Sequence, residues 1–258
     1  MNNVDHLVSV IMPVFNGGDL LPIALESIRK QDYPNLEIIV VDDGSTDESK
    51  EVLESFADTW SGCMKILTHP GRKREGIAAS YRLGYKHCRG EYIAFLEQDD
   101  IWSVNKISEQ IKVFNAFPEV GVVFSDVYTC DGEGSVSAKA FKALINRPPT
   151  EQPFNAFWQL LWGNCVSTFS NIMVRHNQIT LSDIITSPGG FQDWMLLLLL
   201  SSRCKFYYCS KTRIFWRQRQ DSYHAKLRQM PKYRSLRKLA LRNAIELVTE
   251  ENHKIINK

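Results

Sequence analysis

The N-terminal half of this chain alternates short β-rich runs with helical patterns, which confines it to a mostly parallel sheet covered by helices. Val8 to Val14 reads as a buried first strand, ended near Pro13. Asp19 to Gln31 reads as a helix that tolerates Pro22 in its first turn, and Glu37 to Val41 as the second strand. Ser45-Thr46-Asp47-Glu48 spells a capping box for a helix running to Ala57. A third strand over Met64 to Leu67, a charged loop from Pro70 to Gly76 and a helix over Ile77 to His87 come next. The fourth strand, Tyr92 to Leu96, runs straight into Glu97-Gln98-Asp99-Asp100, and a helix over Val104 to Phe117 and a strand over Val120 to Ser125 complete the regular part.

After Asp126 the pattern loosens. Residues 131 to 153, with Gly132, Gly134 and the Pro148-Pro149 pair, read as an insertion or loop near a binding face. Ser167 to Val174 reads as a returning strand, and Ser187 to Trp194 as a turn opening into an apolar helix from Met195 to Ser201. The tail from Tyr233 to Glu250 is amphipathic, with Leu236, Leu239, Ala240, Ala244 and Leu247 on one face.

With 258 residues, 44% hydrophobic and 23% charged, the chain can bury the core of one large α/β domain. The opening residues carry no cationic segment followed by an apolar one, so a secretory leader is not expected. The longest strongly apolar run, Met195 to Leu200, falls far short of the ~20 residues of a membrane span. A soluble or peripheral protein is expected. Six scattered cysteines lack C-x-x-C spacing, which argues against a zinc site and fits unpaired thiols in a reducing cytosol. Between Arg203 and Arg242 stand thirteen Lys or Arg against one acid, Asp221, a block suited to an anionic surface or ligand.

The acidic end of the fourth strand is the sharpest chemical signal. Three carboxylates in four residues hold one another's pKa up, so a cation belongs there or the segment is a solvated turn. Ligands of open α/β sheets bind at such strand ends. Carboxylates there suit Mg²⁺ or Mn²⁺ bridging to phosphate oxygens, and Glu97 and Asp99, two apart, point the same way if the strand persists. No G-x-G-x-x-G follows the first strand and no P-loop occurs anywhere, which speaks against dinucleotide and P-loop phosphate binding. Asp42, at the end of the second strand, suits a nucleobase N–H, and backbone around Pro13, Val14 and Phe15 suits the base or ribose.

The series VSVIMPVFNGG, EIIVVDDGSTDES, GIAASYRLGYKHCRGEYIAFLEQDDIW and GGFQDW resembles the family-2 glycosyltransferases. These are inverting enzymes of the GT-A fold that move a sugar from a nucleotide diphosphate to a hydroxyl. The resemblance spans roughly residues 7 to 224. It implies a Rossmann-like sheet in a single domain over 1–225, with a nucleotide-sugar-binding half (1–126), an acceptor and catalytic half (127–225) and a basic helical tail (226–258). By the same resemblance Pro13, Val14, Phe15 and Asn16 line the nucleoside, Asp42 meets the base, and Arg72 and Arg74 serve base and phosphates. The metal motif lands on Glu97 and Asp99, with Gln98 and Asp100 beside the donor; Glu97 departs from the usual Asp. The catalytic Glu-Asp pair falls on Gln192-Asp193, leaving Asp193 as general base. Arg217, Arg219 and His224 stand where cations would stabilise the departing diphosphate.

The implied function is transfer of one sugar to a saccharide acceptor, lipid-linked, in surface polysaccharide synthesis, at the cytoplasmic face of a membrane. A UDP-hexose or UDP-N-acetylhexosamine is favoured, and dTDP-rhamnose is the other candidate donor. Mn²⁺ or Mg²⁺ is the expected cofactor and no nucleic-acid partner is expected. The absence of Q-x-x-R-W and of membrane spans argues against a processive synthase. A nucleotidylyltransferase would need a G-G-x-G-T-R-L loop where Phe15-Asn16-Gly17-Gly18 stands, and a non-catalytic sugar-nucleotide-binding protein is the other alternative.

Overall fold

The computed structural model describes residues 6–130, 136–139, 151–164, 166–187, 190–217, 226 and 229–256. Among these, nine strands form one sheet, ordered β3-β2-β1-β4-β8-β6-β9-β5, with β7 paired to β6. Its first half is wholly parallel: β1 (Val8–Val14) lies between β2 (Leu36–Asp42) and β4 (Tyr92–Phe95), and β3 (Cys63–Thr68) flanks β2. The second half is mixed. β8 (Met173–Arg175) runs antiparallel to both β4 and β6 (Val120–Cys130), β9 (Lys205–Arg217) runs parallel to β6, and β5 (Ile101–Trp102) closes the edge antiparallel to β9. β7 (Val136–Lys139) is antiparallel to β6.

The sheet is α/β in the expected sense, because β1 and β2 are mostly apolar and buried along their whole length, as strands under two helical layers must be. On one face α1 (Leu20–Arg29), α2 (Ser49–Thr59) and α4 (Lys106–Ala116) enclose Val10, Met12, Ile38 and Val40. The other core gathers Ile11, Ile93 and Phe95 under α3 (Ile77–Tyr85), α5 (Phe157–Trp162), α6 (Gln192–Ser201) and α7 (Tyr233–Ile256). Gly84 lets α3 sit close on β1: a Cβ there would lie 2.6 Å from Ile11 Cγ2.

Several sequence expectations are corrected. Ser45-Thr46-Asp47-Glu48 does not cap α2, whose N-cap is Glu48 without a side-chain bond. Those side chains reach the other loop instead, as described below. The strand expected over Ser167–Val174 is only three residues long, because a 3-10 turn at Phe169–Asn171 precedes it. On α7, Ala240, Ala244 and Val248 are buried while Leu239 is exposed. The strand expected over Val120–Ser125 runs on to Cys130 as β6, and the stretch read as an insertion or loop over residues 131–153 holds β7; the Pro148-Pro149 pair lies outside the described residues. The five described cysteines are all free thiols, and no described helix is long and apolar enough to cross a membrane.

Glu37, in the middle of the sheet, is a charge fully inside it. Ser9 Oγ donates to it at 2.6 Å, Arg89 N at 2.7 Å and Arg89 Nε at 2.9 Å. Burial pushes its carboxyl up, but these hydrogen bonds and the Arg89 charge outweigh burial and hold it below the usual range. A depressed folded-state pKa adds stability that is full above the unfolded value of about 4.3 and lost as pH falls through the folded value. Glu37→Leu is therefore expected to lose about 2–3 kcal/mol at neutral pH in urea denaturation, a gap that narrows toward about pH 3.

Candidate functional site

The C-terminal ends of β1, β2 and β4 meet at one edge of the sheet, and three loops are tied together there. Asn16 N donates to Ser45 Oγ at 3.0 Å, Gly17 N to Ser49 Oγ at 2.8 Å and Gly18 N to Asp47 Oδ2 at 3.0 Å. Asn16 returns the bond, its Oδ1 accepting from Thr46 N at 2.8 Å, and its φ of 50° is the left-handed conformation that Asn tolerates. Asp42 Oδ1 accepts from Ser45 N at 2.9 Å, which turns the chain out of β2. Buried Asp43 accepts from Glu75 N and Gly76 N and so fixes the start of α3. Arg74 lays its guanidinium 3.8 Å from the centre of the Phe15 ring, with Nε 3.9 Å from Asp43 Oδ2. Pro13 and Val14 are buried beneath Phe15, and Arg72 is exposed with φ 51°.

The acidic segment lies beside this cradle. Gln98 Oε1 accepts from Phe15 N at 2.7 Å and its Nε2 donates to Phe15 O at 3.0 Å, so the amide clamps the ends of β1 and β4. The strand does not persist as expected: it stops at Phe95, and Asp100 N bonds Glu97 O at 3.1 Å in a turn. Glu97 and Asp99 therefore do not share a strand face. The turn nevertheless keeps Glu97, Asp99 and Asp100 within electrostatic reach of one another. Burial, then the charges of Asp100 and Asp99, raise Glu97 well above its usual value against a hydrogen bond from Thr168. Burial and Asp99 likewise raise Asp100, against bonds from Ser170, Arg217 N and Thr168.

A second segment closes over these acids. Thr168 Oγ1 lies 2.8 Å from Glu97 Oε2 and 3.2 Å from Asp100 Oδ2, and Glu97 N donates to Ser170 Oγ at 2.9 Å. Asp100 Oδ1 accepts from Arg217 N at 3.2 Å, which brings the end of β9 to the cluster. Asp193 sits in the first turn of α6, where Asn164 Nδ2 donates to its Oδ2 at 2.9 Å. Its charge acts on both Glu97 and Tyr81, so the end of β4 and the start of α6 lie within electrostatic reach of each other. Arg219 and His224 lie outside the described residues. The groove lined by Gly90, Glu91, Arg175, His176 and Asn177 is at the opposite end of β4 and takes no part.

Four participants escaped the sequence reading: Tyr81, Asn164, Thr168 and Ser170. The signal for two of them was Ser167-Thr168-Phe169-Ser170-Asn171, too rich in hydroxyl and amide groups for an ordinary buried strand. Tyr81 had none, since its place in α3 is an ordinary core position.

The donor set is all oxygen, which suits a hard divalent cation such as Mg²⁺ or Mn²⁺. Tyr81 adds an observation pointing the same way. Its ring is fully buried and its hydroxyl has no hydrogen-bond partner. Burial, then Glu97, Asp193, Asp100 and Asp99, push the phenol well above its usual range, so it stays a neutral donor facing four carboxylates. Among the described residues no group of three or more His, Cys, Asp or Glu side chains is placed so that the group could hold a metal ion. An ion held here would keep positions for other oxygens.

Residues 9–175, more than half the chain, match the model of the family described as Glycosyl transferase family 2. The chain belongs to that family. It is 38% identical over 109 residues to the Escherichia coli UDP-Glc:alpha-D-GlcNAc-diphosphoundecaprenol beta-1,3-glucosyltransferase WfgD, covering 42% of this chain and 41% of the relative. To the glycosyltransferase GlyG of Streptococcus pneumoniae it is 31% identical over 164 residues, covering 59% of this chain and 54% of the relative. An uncharacterized glycosyltransferase of Rickettsia typhi is 34% identical over 122 residues, covering 47% of this chain and only 36% of the relative. The chain thus spans from about a third to about half the length of these curated relatives. Among solved structures, S. aureus TarS 1-349 in complex with UDP superposes with a TM-score of 0.60 at 17% identity, over 86% of this chain and 63% of that one. The mannosyltransferase PcManGT from Pyrobaculum calidifontis, in complex with GDP-Man and Mn2+, gives 0.63 at 19% identity, over 87% and 61%. The fold is GT-A.

Because a buried hydroxyl without a partner carries a desolvation penalty, Tyr81→Phe is expected to leave the ligand-free protein as stable as before or more so, by on the order of 1 kcal/mol. The midpoint of urea unfolding reads this. A clear loss of stability would mean that the hydroxyl does have a structural partner.

Proposed function

We propose that this chain transfers one sugar, with inversion, from a nucleotide diphosphate sugar to a hydroxyl of a lipid-linked saccharide at the cytoplasmic face of a membrane, in surface polysaccharide synthesis. The observation that carries the reading is the pairing of two sites within electrostatic reach of each other: an acidic turn at the end of β4, and Asp193, held by Asn164 at 2.9 Å, at the start of α6. Donor phosphates and an attacking hydroxyl need two such sites, because in-line displacement at the anomeric carbon puts base and leaving group on opposite faces.

In this reading Asp193 takes the proton of the acceptor hydroxyl as it attacks, and Asn164 orients the carboxylate. Pro13, Val14, Phe15 and Asn16 frame the nucleoside, Asp42 meets the base, and Arg72 and Arg74 approach the diphosphate. Glu97 and Asp99 would hold Mn²⁺ or Mg²⁺, with Gln98 and Asp100 in support. The ion would supply positive charge against the diphosphate. Arg217, Arg219 and His224 are assigned to charge stabilisation of the leaving diphosphate. A uridine nucleotide is favoured by the donor named for the Escherichia coli relative and by the UDP bound to TarS. The undecaprenol-linked acceptor named for that relative supports a lipid carrier here.

The nucleotidylyltransferase alternative is weakened by the loop after β1. Its three consecutive N–H groups, Asn16 to Gly18, are bonded to Ser45, Ser49 and Asp47 and leave no backbone cradle for a phosphate.

Asp193→Asn is expected to lower the transfer rate by about 10²–10⁴-fold while the donor Kd changes little. Single-turnover transfer and calorimetric donor binding separate the two, and unchanged turnover would remove the base assignment. UDP-sugars in the presence of Mn²⁺ should raise the unfolding temperature, by about 2.7 kcal/mol of stabilisation at a hundredfold excess over Kd. An identical rise in EDTA would overturn the metal assignment.

A further inference from the structure

Two tryptophans stand almost fully in solvent beside the acceptor end of the cavity. Trp158 is 69% and Trp162 86% exposed, four apart on α5 and so on one face of it. The helix is otherwise anchored: Leu160 is buried, and its carbonyl accepts from the indole of Trp194 at 2.7 Å. Two residues past Trp162 stands Asn164, which holds Asp193. The exposed aromatic face therefore ends at the wall of the candidate site.

The neighbouring surface is cationic. Arg237 donates to the carbonyl of Trp162 at 3.0 Å, which sets the exposed end of α5 against α7. Around Arg237, the exposed side of α7 carries Arg234, Lys238 and Arg242, with half-exposed Leu239 and Ile245 among them. No acid occurs between Lys226 and Arg242. Buried Ala240, Ala244 and Val248 fix which side of the helix faces inward, so this side faces out.

Exposed indoles next to aliphatic and cationic side chains match the interface of a bilayer. Tryptophan partitions to the headgroup level, and each nearby Lys or Arg is drawn to anionic lipid. A single-stranded nucleic acid would also use cations and stacking aromatics, but it would leave the exposed aliphatic Leu239 and Ile245 without a role. We infer that α5 and the outward side of α7 form one docking face for an anionic phospholipid bilayer, which turns the Asp193 side of the cavity toward the membrane. The inference rests on the proposed lipid-linked acceptor, whose saccharide would emerge from that same surface.

Sedimentation with vesicles tests it without any sugar transfer. The full chain is expected to pellet with phosphatidylcholine vesicles containing about 30 mol % phosphatidylglycerol, to pellet far less with phosphatidylcholine alone, and to be released at roughly 0.5 M salt. Trp158→Ala with Trp162→Ala, and separately Arg234→Glu with Lys238→Glu, should each weaken partitioning about tenfold or more while leaving the donor Kd unchanged. Wild-type protein that ignores anionic vesicles would overturn the inference. So would binding that survives both double variants, or retention on RNA without retention on vesicles. None of these outcomes bears on Asp193, whose test stands on turnover.

Discussion

The architecture of the site follows from one electrostatic difficulty, the crowding of Glu97, Asp99 and Asp100 where β4 leaves the sheet. Like charges in a half-buried turn repel, and they remain together only if other groups hold the backbone in place. Two devices do so. Gln98 clamps the turn to Phe15 on one side, and the Thr168–Asn171 turn brings hydroxyls to it on the other. That second turn is itself braced from α4 and β6: Gln110 and Lys106 donate to the carbonyls of Asn171 and Ile172, the Trp102 indole to Ser170 O, and Asn171 exchanges bonds with Ser125. Lys106 is wholly buried, and burial pulls its pKa well down, so it can serve as a structural donor without demanding a counter-ion.

The two faces of the sheet divide the remaining work. The core under α1, α2 and α4 is continuous with the loops after β1 and β2, which pack against each other through side chain to backbone bonds. The core under α3, α6 and α7 supports the acceptor side, and α6 is buried from Trp194 to Ser201 with only Gln192 and Asp193 reaching outward at its start. A helix packed so completely has little freedom, and Asp193 inherits that rigidity.

Much of this was legible in the sequence for a physical reason. The parallel strands β1, β2 and β4 are mostly apolar runs, and chemical signatures stand at their ends, so strand ends and motifs located one another: Asp42 closing β2, Glu97 after β4. Strands β5 and β8 were not legible in full, since two or three residues carry no periodicity and exist only because β9 and β4 pair with them. The capping box failed for a related reason. Ser45 has the composition of a cap but its oxygen is taken by Asn16 N, while Asp47 divides its two oxygens between Ser49 N at the start of α2 and Gly18 N, and no local pattern reveals a partner about thirty residues away. Asn164 and Tyr81 were invisible alike, one in an irregular loop and the other in a helix, because their importance comes from what faces them.

Glu97 in place of aspartate is best understood through proton counting. The Thr168 hydroxyl has a single hydrogen, yet a carboxylate oxygen of Glu97 lies 2.8 Å away and one of Asp100 3.2 Å away. It can donate to only one of them at a time. Arg217 N and Ser170 favour the charged form of Asp100, but burial and the neighbouring acid charges outweigh these bonds, and both Glu97 and Asp100 are pushed up. A proton or a cation joining the cluster would relieve that repulsion. The extra methylene of Glu97 lets its carboxyl reach Thr168 although β4 has already ended at Phe95. A glutamate here therefore ties the acidic turn, through one hydroxyl, to the segment leading from Asn164, the residue that holds Asp193.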